Sequence, residues 1–290
     1  MRVLSLGAGV QSTTLLLMAA KNMLPYQLDV AIFADTGYEP QSVYDHLDRI
    51  EKEIAEPAGI PIYRVSAGNI RDDALDPAHG FASMPLFVAK PDGSKGIARR
   101  QCTREYKVTP IKNKIRELLG ADIFSNGSVG RTQKGKQVEQ WIGISLDEFH
   151  RAKDSDVNYI KNVFPLLDMR MTRKDCIALL EKHGFGQTPK SACIACPFRT
   201  NEQWRELRDY YPDEFADAVD FDKKMREFHS GQPRTKNNLF FLHKTFVPLD
   251  EADLSVRSRK EVAEDQMELF TCSPFSCNGD EEAYGIAVLD

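Results

Sequence analysis

The chain has 290 residues, 42% of them hydrophobic and 28% charged, with a formal net charge of −5. That length buries a full core, as one large domain or two small ones, and the composition excludes disordered and fibrous classes. No apolar run approaches the roughly 18 residues that cross a bilayer, and the first residues lack a signal peptide's basic flank and cleavage site, so a cytoplasmic protein without membrane contact is expected. Six cysteines are too few for a disulfide scaffold, and in a reducing compartment their clustering points to metal binding or redox chemistry. The charge is unevenly spread. Residues 95–136 hold eleven Lys/Arg against three Asp/Glu, and residues 250–290 hold eleven Asp/Glu against three Lys/Arg. The basic stretch reads either as a solvated surface or as a partner for phosphates of a nucleotide or nucleic acid.

In chain order, residues 2–6 form an apolar strand, Gly7-Ala8-Gly9-Val10-Gln11-Ser12 a glycine-bearing turn, and residues 13–20 a buried helix. Strand, turn and helix in that order make an anion site, because glycines admit close backbone approach and the helix start offers N–H groups and a positive dipole end. No Gly-Lys-Ser/Thr follows, and Ser12 stands where a dinucleotide fingerprint has its third glycine, so neither common phosphate loop applies. Residues 30–35 read as a central parallel strand. Val43, Leu47, Ile50 and Ile54 mark an amphipathic helix, and residues 59–65 the next strand. Such a βαβαβ unit implies a parallel sheet with right-handed crossovers. Residues 67–100 read as one long loop. Val108, Ile111, Ile115 and Leu118 form a helical stripe, and residues 141–145 a short strand. Helices are expected over 171–183, with Gly184 as its C-cap, and over 213–229, while the last forty residues show weak periodicity.

Three groups of residues carry chemistry. The first is the turn at Gly7 to Ser12 with Asp35-Thr36-Gly37 at the end of the second strand, where open parallel sheets bind ligands. The second is Cys193-Ile194-Ala195-Cys196-Pro197, a spacing that lets two thiolates grip one metal or cluster, together with the distant Cys102. Cys176 lies on the apolar side of its helix and reads as a buried structural thiol. The third is Gly143 to Arg151, a strand end whose Ser, Asp, Glu and Arg either line the nucleotide phosphates or a second substrate, or form a helix start that Ser145 caps and Glu148 closes as a capping box.

The motif Ser5-x-Gly7-x-Gly9-x-Gln11-Ser12 resembles the pyrophosphate loop of the adenine-nucleotide alpha-hydrolase (PP-loop) superfamily. That group includes ATP pyrophosphatases and the sulfonucleotide (PAPS and APS) reductases. Asp35-Thr36-Gly37-Tyr38 at the next strand end is similar to the PAPS reductase branch. The run from Arg99 through Cys102 to Pro110 resembles the APS reductase motif in which paired cysteines precede Arg-Lys-Val-x-Pro, but Thr103 replaces the second cysteine.

The resemblance implies a Rossmann-like (HUP-type) α/β fold, a parallel sheet with helices on both faces. Expected divisions are a nucleotide-binding domain over 1–170, a helical extension with the cysteine motif over 171–250 and an acidic tail over 251–290. It implies ATP with Mg²⁺ at Ser5, Gly7, Ala8, Gly9, Gln11, Ser12, Asp35, Thr36, Gly37, Arg104, Lys107 and Ser145, with Asp35 also a catalytic candidate. It implies a [4Fe-4S] cluster on Cys102, Cys193 and Cys196, with Cys272 or Cys277 as fourth ligand or one iron left open. Zinc is the alternative metal. PAPS reductases carry a catalytic cysteine near the C-terminus, which makes Cys277 a catalytic candidate here, although the Glu-Cys-Gly element is missing.

The leading expectation is an ATP-pyrophosphatase-type enzyme that adenylates an acceptor for sulfur transfer to a nucleobase in RNA or DNA, or to a small metabolite. A sulfur-donor protein is an implied partner and a homo-oligomer the expected state. The alternatives are a sulfonucleotide reductase and a non-catalytic nucleotide-binding component of a larger assembly.

Overall fold

The computed structural model describes residues 1–79, 84–232, 235, 237–256 and 287–289. The chain opens with β1 (Arg2–Leu6), α1 (Val10–Ala20), β2 (Val30–Asp35), α2 (Gln41–Ile50), β3 (Ile62–Ser66) and α3 (Ile70–Leu75). A hairpin of β4 (Phe87–Ala89) and β5 (Lys95–Ala98) follows. Then come the widened helical segment Thr103–Val108, running directly into α4 (Thr109–Leu118), and β6 (Val138–Trp141). After a six-residue 3₁₀ segment, Leu146–Arg151, come β7 (Ile160–Val163), α5 (Pro165–Asp168), α6 (Arg173–Lys182), α7 (Asn201–Tyr210), α8 (Pro212–Gly231), β8 (Leu239–Phe241) and β9 (Ala287–Leu289).

Five strands form a parallel sheet in the order β3-β2-β1-β6-β7. Alternation along the central strands feeds two cores, as a two-faced sheet requires. Leu4, Leu6, Ala31 and Phe33 pack with α1, α2 and α6 on one face. Val3, Val30, Ile32 and Ala34 pack with Ile111 and Ile115 of α4 on the other. Helix α1 is buried along nearly its whole length because the sheet and α6 enclose it. Cys176 of α6 is fully buried in that layer, and burial pushes its thiol up to about 12, as expected of a structural cysteine. From β1 the chain moves outward through β2 and β3, then α4 returns it to the other side of β1 as β6. The strand order therefore reverses between β1 and β6, and a crevice at the carboxyl ends of those strands is where such sheets bind ligands.

A second layer holds α3, α7, α8 and the four-stranded sheet β8-β4-β5-β9 around Trp204, Phe221 and Met225. Asp222 of α8 pins the returning chain, accepting backbone N–H bonds from Leu242 (2.8 Å) and Leu249 (3.0 Å). Residues 67–100 are thus not one loop. They contain α3 and a hairpin whose turn places Gly93 at φ +83°. The strand expected over 141–145 ends at Trp141, because beyond it Gly143 must press against α1. The expected helices over 171–183 and 213–229 are α6 and α8, and Gly184 ends α6 with φ +84°. No described helix is long and apolar enough to cross a membrane.

Candidate nucleotide and thiol site

The turn between β1 and α1 stands at the crevice. Gly9 is the helix N-cap, with no side-chain cap bond and no acidic residue in the first turn of α1. Ser12 closes the turn: its Oγ accepts from the Gly7 N–H and donates to the Gly9 carbonyl, both at 3.2 Å. The left-handed residue is Ala8, at φ +54°, not either glycine. Gly143 is the close approach that the turn requires, since a Cβ there would lie 3.0 Å from the Ser12 nitrogen. The Ser5 hydroxyl is buried near the end of β1 and has no hydrogen-bond partner among the described residues. The Gln11 side chain reaches sideways, donating to Glu148 (2.9 Å) and Ser145 (3.4 Å) and accepting from Arg173 (3.0 Å).

That last network corrects the capping-box expectation. Ser145 does stand at the N-terminus of the 3₁₀ segment, but it makes no side-chain cap bond. Glu148 is instead spent on Gln11 and on a buried ion pair with Arg151 at 2.5 Å, which outweighs a local cap.

At the end of β2, Asp35 Oδ1 accepts from the Gly37 N–H and from the Tyr44 hydroxyl, each at 2.8 Å. Gly37 takes φ +69°, and its carbonyl accepts from Asn69 Nδ2 at 2.9 Å. Thr36, buried, points the other way, toward the cysteines: its Oγ1 lies 3.4 Å from Cys193 Sγ and donates to Glu39 at 3.2 Å.

Cys102, Cys193 and Cys196, far apart in sequence, line one pocket with Thr36, Lys107 and Arg100. Ser191 abuts Gly9, so the segment that leads into the C-x-x-C lies over the turn between β1 and α1. Arg199 shapes that segment. Its guanidinium donates to the carbonyls of Ala192 (3.1 Å), Cys193 (3.2 Å) and Ile194 (3.0 Å). Desolvation pushes the Cys193 thiol well above its ordinary range, and the Glu39 carboxylate adds to this while Lys107 opposes it. Among the described residues no group of three or more His, Cys, Asp or Glu is gathered for a single metal ion. The cavity volume of the pocket is about 30 Å³.

A family model for the phosphoadenosine phosphosulfate reductase domain matches residues 2–186. The chain belongs to this family. It is therefore a PAPS reductase-like member of the PP-loop adenine-nucleotide alpha-hydrolase superfamily, a nucleotide-utilising enzyme of Rossmann-like α/β fold. No curated protein matched the chain.

Within this family member, the described site residues fall into two groups. Ser5, Gly7, Ala8, Gly9, Gln11, Ser12 and Ser145 gather around the turn between β1 and α1, with the Gln11 and Ser145 side chains bonded to each other. Thr36, Lys107, Cys102, Cys193 and Cys196 surround the thiol pocket, and Asp35 and Gly37 form the turn beside it. Lys107 is buried and paired with Glu39 at 3.1 Å, whereas Arg104 is exposed near Asp156. Cys272 and Cys277 lie outside the described residues. Sequence reasoning gave no role to Glu39 or Arg199, and held Gly143 only as the first residue of the Gly143 to Arg151 stretch. The available signals were an acid just after the Asp35-Thr36-Gly37 turn and an arginine just after the C-x-x-C-Pro; the close approach of Gly143 to α1 had no local signal.

Proposed function

We propose that this enzyme activates an acceptor with ATP and passes sulfur to it. The α-phosphorus is attacked by an acceptor oxygen, pyrophosphate leaves, and the sulfur nucleophile then displaces AMP from the adenylated acceptor. The N–H groups and dipole of α1 stabilise the charge that develops on the departing pyrophosphate, with Mg²⁺ as counter-ion. The turn at Asp35 to Gly37 orients the nucleotide's sugar side. The acceptor class is a nucleobase in RNA or DNA, or a small metabolite.

The observation that carries this reading is the convergence of three thiols on one pocket beside the phosphate turn. Three thiol donors on one pocket suit an iron–sulfur cluster, with zinc the alternative metal. Cys102, Cys193 and Cys196 would hold the cluster, and the pocket must widen to admit it. When bound, such a group supplies a site for sulfur handling or electron transfer. Arg199 holds the C-x-x-C backbone in place, and Lys107 sets a positive charge against the thiols.

A second reading, reduction of a sulfonucleotide, is favoured by the family match itself. There a cysteine thiolate attacks the sulfonate sulfur, the nucleotide leaves, and a dithiol reductant releases sulfite from the enzyme. One set of assays separates the readings. Iron, zinc and acid-labile sulfide are measured on anaerobically purified wild type, Cys102→Ala and Cys193→Ala, alongside product analysis with ATP and with PAPS. Iron and sulfide lost in both variants, with AMP and pyrophosphate formed only when an acceptor is present, supports acceptor activation. Sulfite from PAPS supports the reductase. Tight nucleotide binding without turnover of either overturns both.

A further inference from the structure

One buried carboxylate joins the two halves of the site. The Glu39 side chain is 1% exposed, and its Oε1 collects one group from each of three segments. Thr36 Oγ1, on the turn after β2, donates to it at 3.2 Å. Lys107 Nζ, on the helical segment that begins beside Cys102, lies at 3.1 Å. Cys193 Sγ, in the C-x-x-C loop, lies at 3.8 Å. The Glu39 N–H donates to the Tyr44 hydroxyl (3.4 Å), which in turn donates to Asp35 (2.8 Å). Oε2 is buried with no hydrogen-bond partner among the described residues. A carboxylate retained for stability alone would be satisfied on both oxygens or replaced by apolar packing, since buried ion pairs contribute little net stability. This one is crowded on the oxygen that faces Thr36, Lys107 and Cys193.

We propose that Glu39 is a positioning residue that couples occupation of the nucleotide crevice to the arrangement of the cysteine pocket, by holding Thr36, Lys107 and Cys193 on one oxygen. The inference rests on the nucleotide reading of the Asp35–Gly37 turn given above. The three donors share one acceptor. A nucleotide that draws the Thr36 turn toward itself loosens Thr36 from Glu39 and tightens the carboxylate on Lys107 and Cys193. A change at Cys193 acts in reverse, because coupling between two sites is reciprocal.

The test uses the full chain and two readouts. ATP binding is measured by calorimetry, and the rate of iodoacetamide alkylation at Cys193 is followed by peptide mass spectrometry with and without saturating ATP. Buried Cys176 serves as the internal reference for global opening. In the wild type ATP is expected to change the Cys193 rate by about fivefold or more, the lower range of ordinary site-to-site coupling. In Glu39→Gln the rate becomes insensitive to ATP while ATP still binds. Glu39→Asp, which keeps the charge, recovers part of the response, an outcome that a purely structural role does not give. If Glu39→Gln does not fold, Glu39→Asp carries the test alone, and a Cys193 response to ATP equal to that of the wild type counts against the coupling. Wild-type binding of ATP with no change at Cys193, or an equal change in the variants, overturns the coupling while leaving the nucleotide reading intact. Failure of the wild type to bind ATP overturns the nucleotide reading, and the coupling falls with it.

Discussion

Gly37 is refused alanine on two counts. Its φ of +69° is left-handed, and a Cβ would lie 2.9 Å from the Asn69 Cα. Gly37→Ala is expected to cost about 1–3 kcal/mol, the range for a strained backbone position. Because Thr36 and Asp35 are held by the same turn, ATP affinity should fall as well. Urea midpoints and calorimetric ATP titrations check this, and lost stability with unchanged affinity would remove the turn from the nucleotide site. The phosphate turn shows how far residue-level reading reaches. The spacing of Gly7 and Gly9 reveals that a turn is present, but the left-handed residue is Ala8, and Gly9 is extended (φ −102°, ψ 179°). Glycine marks where a backbone is free to bend; the packed fold selects where it does.

At the scale of elements, Arg199 is the clearest organiser of the thiol pocket. A guanidinium fork reaches three successive carbonyls, and a lysine ammonium, as a point charge, does not. Arg199→Lys is expected to speed alkylation of Cys193 and Cys196 several-fold and to lower iron loading. Helix α7 should stay intact, because its N-terminus is secured separately by the Thr200–Gln203 capping box. Thiol mapping and far-UV dichroism measure the two effects, and unaltered alkylation would show that the loop holds itself. What the sequence made legible follows from local signals. β1, β2, α4 and α6 announce themselves because burial on both sheet faces gives continuous apolar runs and helix packing gives stripes such as Ile111 and Ile115. The β4–β5 hairpin did not, because its strands are three and four residues long and β4 finds its other partner in β8, far along the chain. The Ser145 cap failed for a related reason: Gln11 and Arg151 claimed Glu148 through tertiary contacts that no local pattern encodes.

Over the whole molecule, charge is more balanced than the sequence suggests. In the basic stretch Lys112 pairs with Asp156 and Lys114 with Glu117, while Arg116 and Lys136 donate to the carbonyls of Gly130 and Leu119. Much of that stretch is therefore engaged within the fold. The global electrostatic liability lies instead in three histidines, His46 and His243 buried and His229 half-buried. His46 joins α2 to Thr13 of α1 at 3.1 Å, His243 joins Asn201 at 3.0 Å, and His229 stacks on Phe240. Burial pushes each down to about 4, with Arg49 adding to the shift at His46 and Lys244 at His243. A histidine whose folded value lies below its unfolded value of roughly 6.5 takes up a proton on unfolding, so its contribution is complete above that pH and is lost as the pH falls toward 4. Each group then removes about 1.4 kcal/mol per pH unit within that window. Urea midpoints measured between about pH 7 and about pH 5 should therefore fall steeply. Because His46 belongs to the sheet layer while His229 and His243 belong to the α8 and β8 layer, acid should loosen both layers together. His46→Gln should flatten the profile by one group's share and His243→Gln by another. A midpoint independent of pH across that window would mean that these imidazoles reach water in the folded protein, which the burial of His46 and His243 argues against.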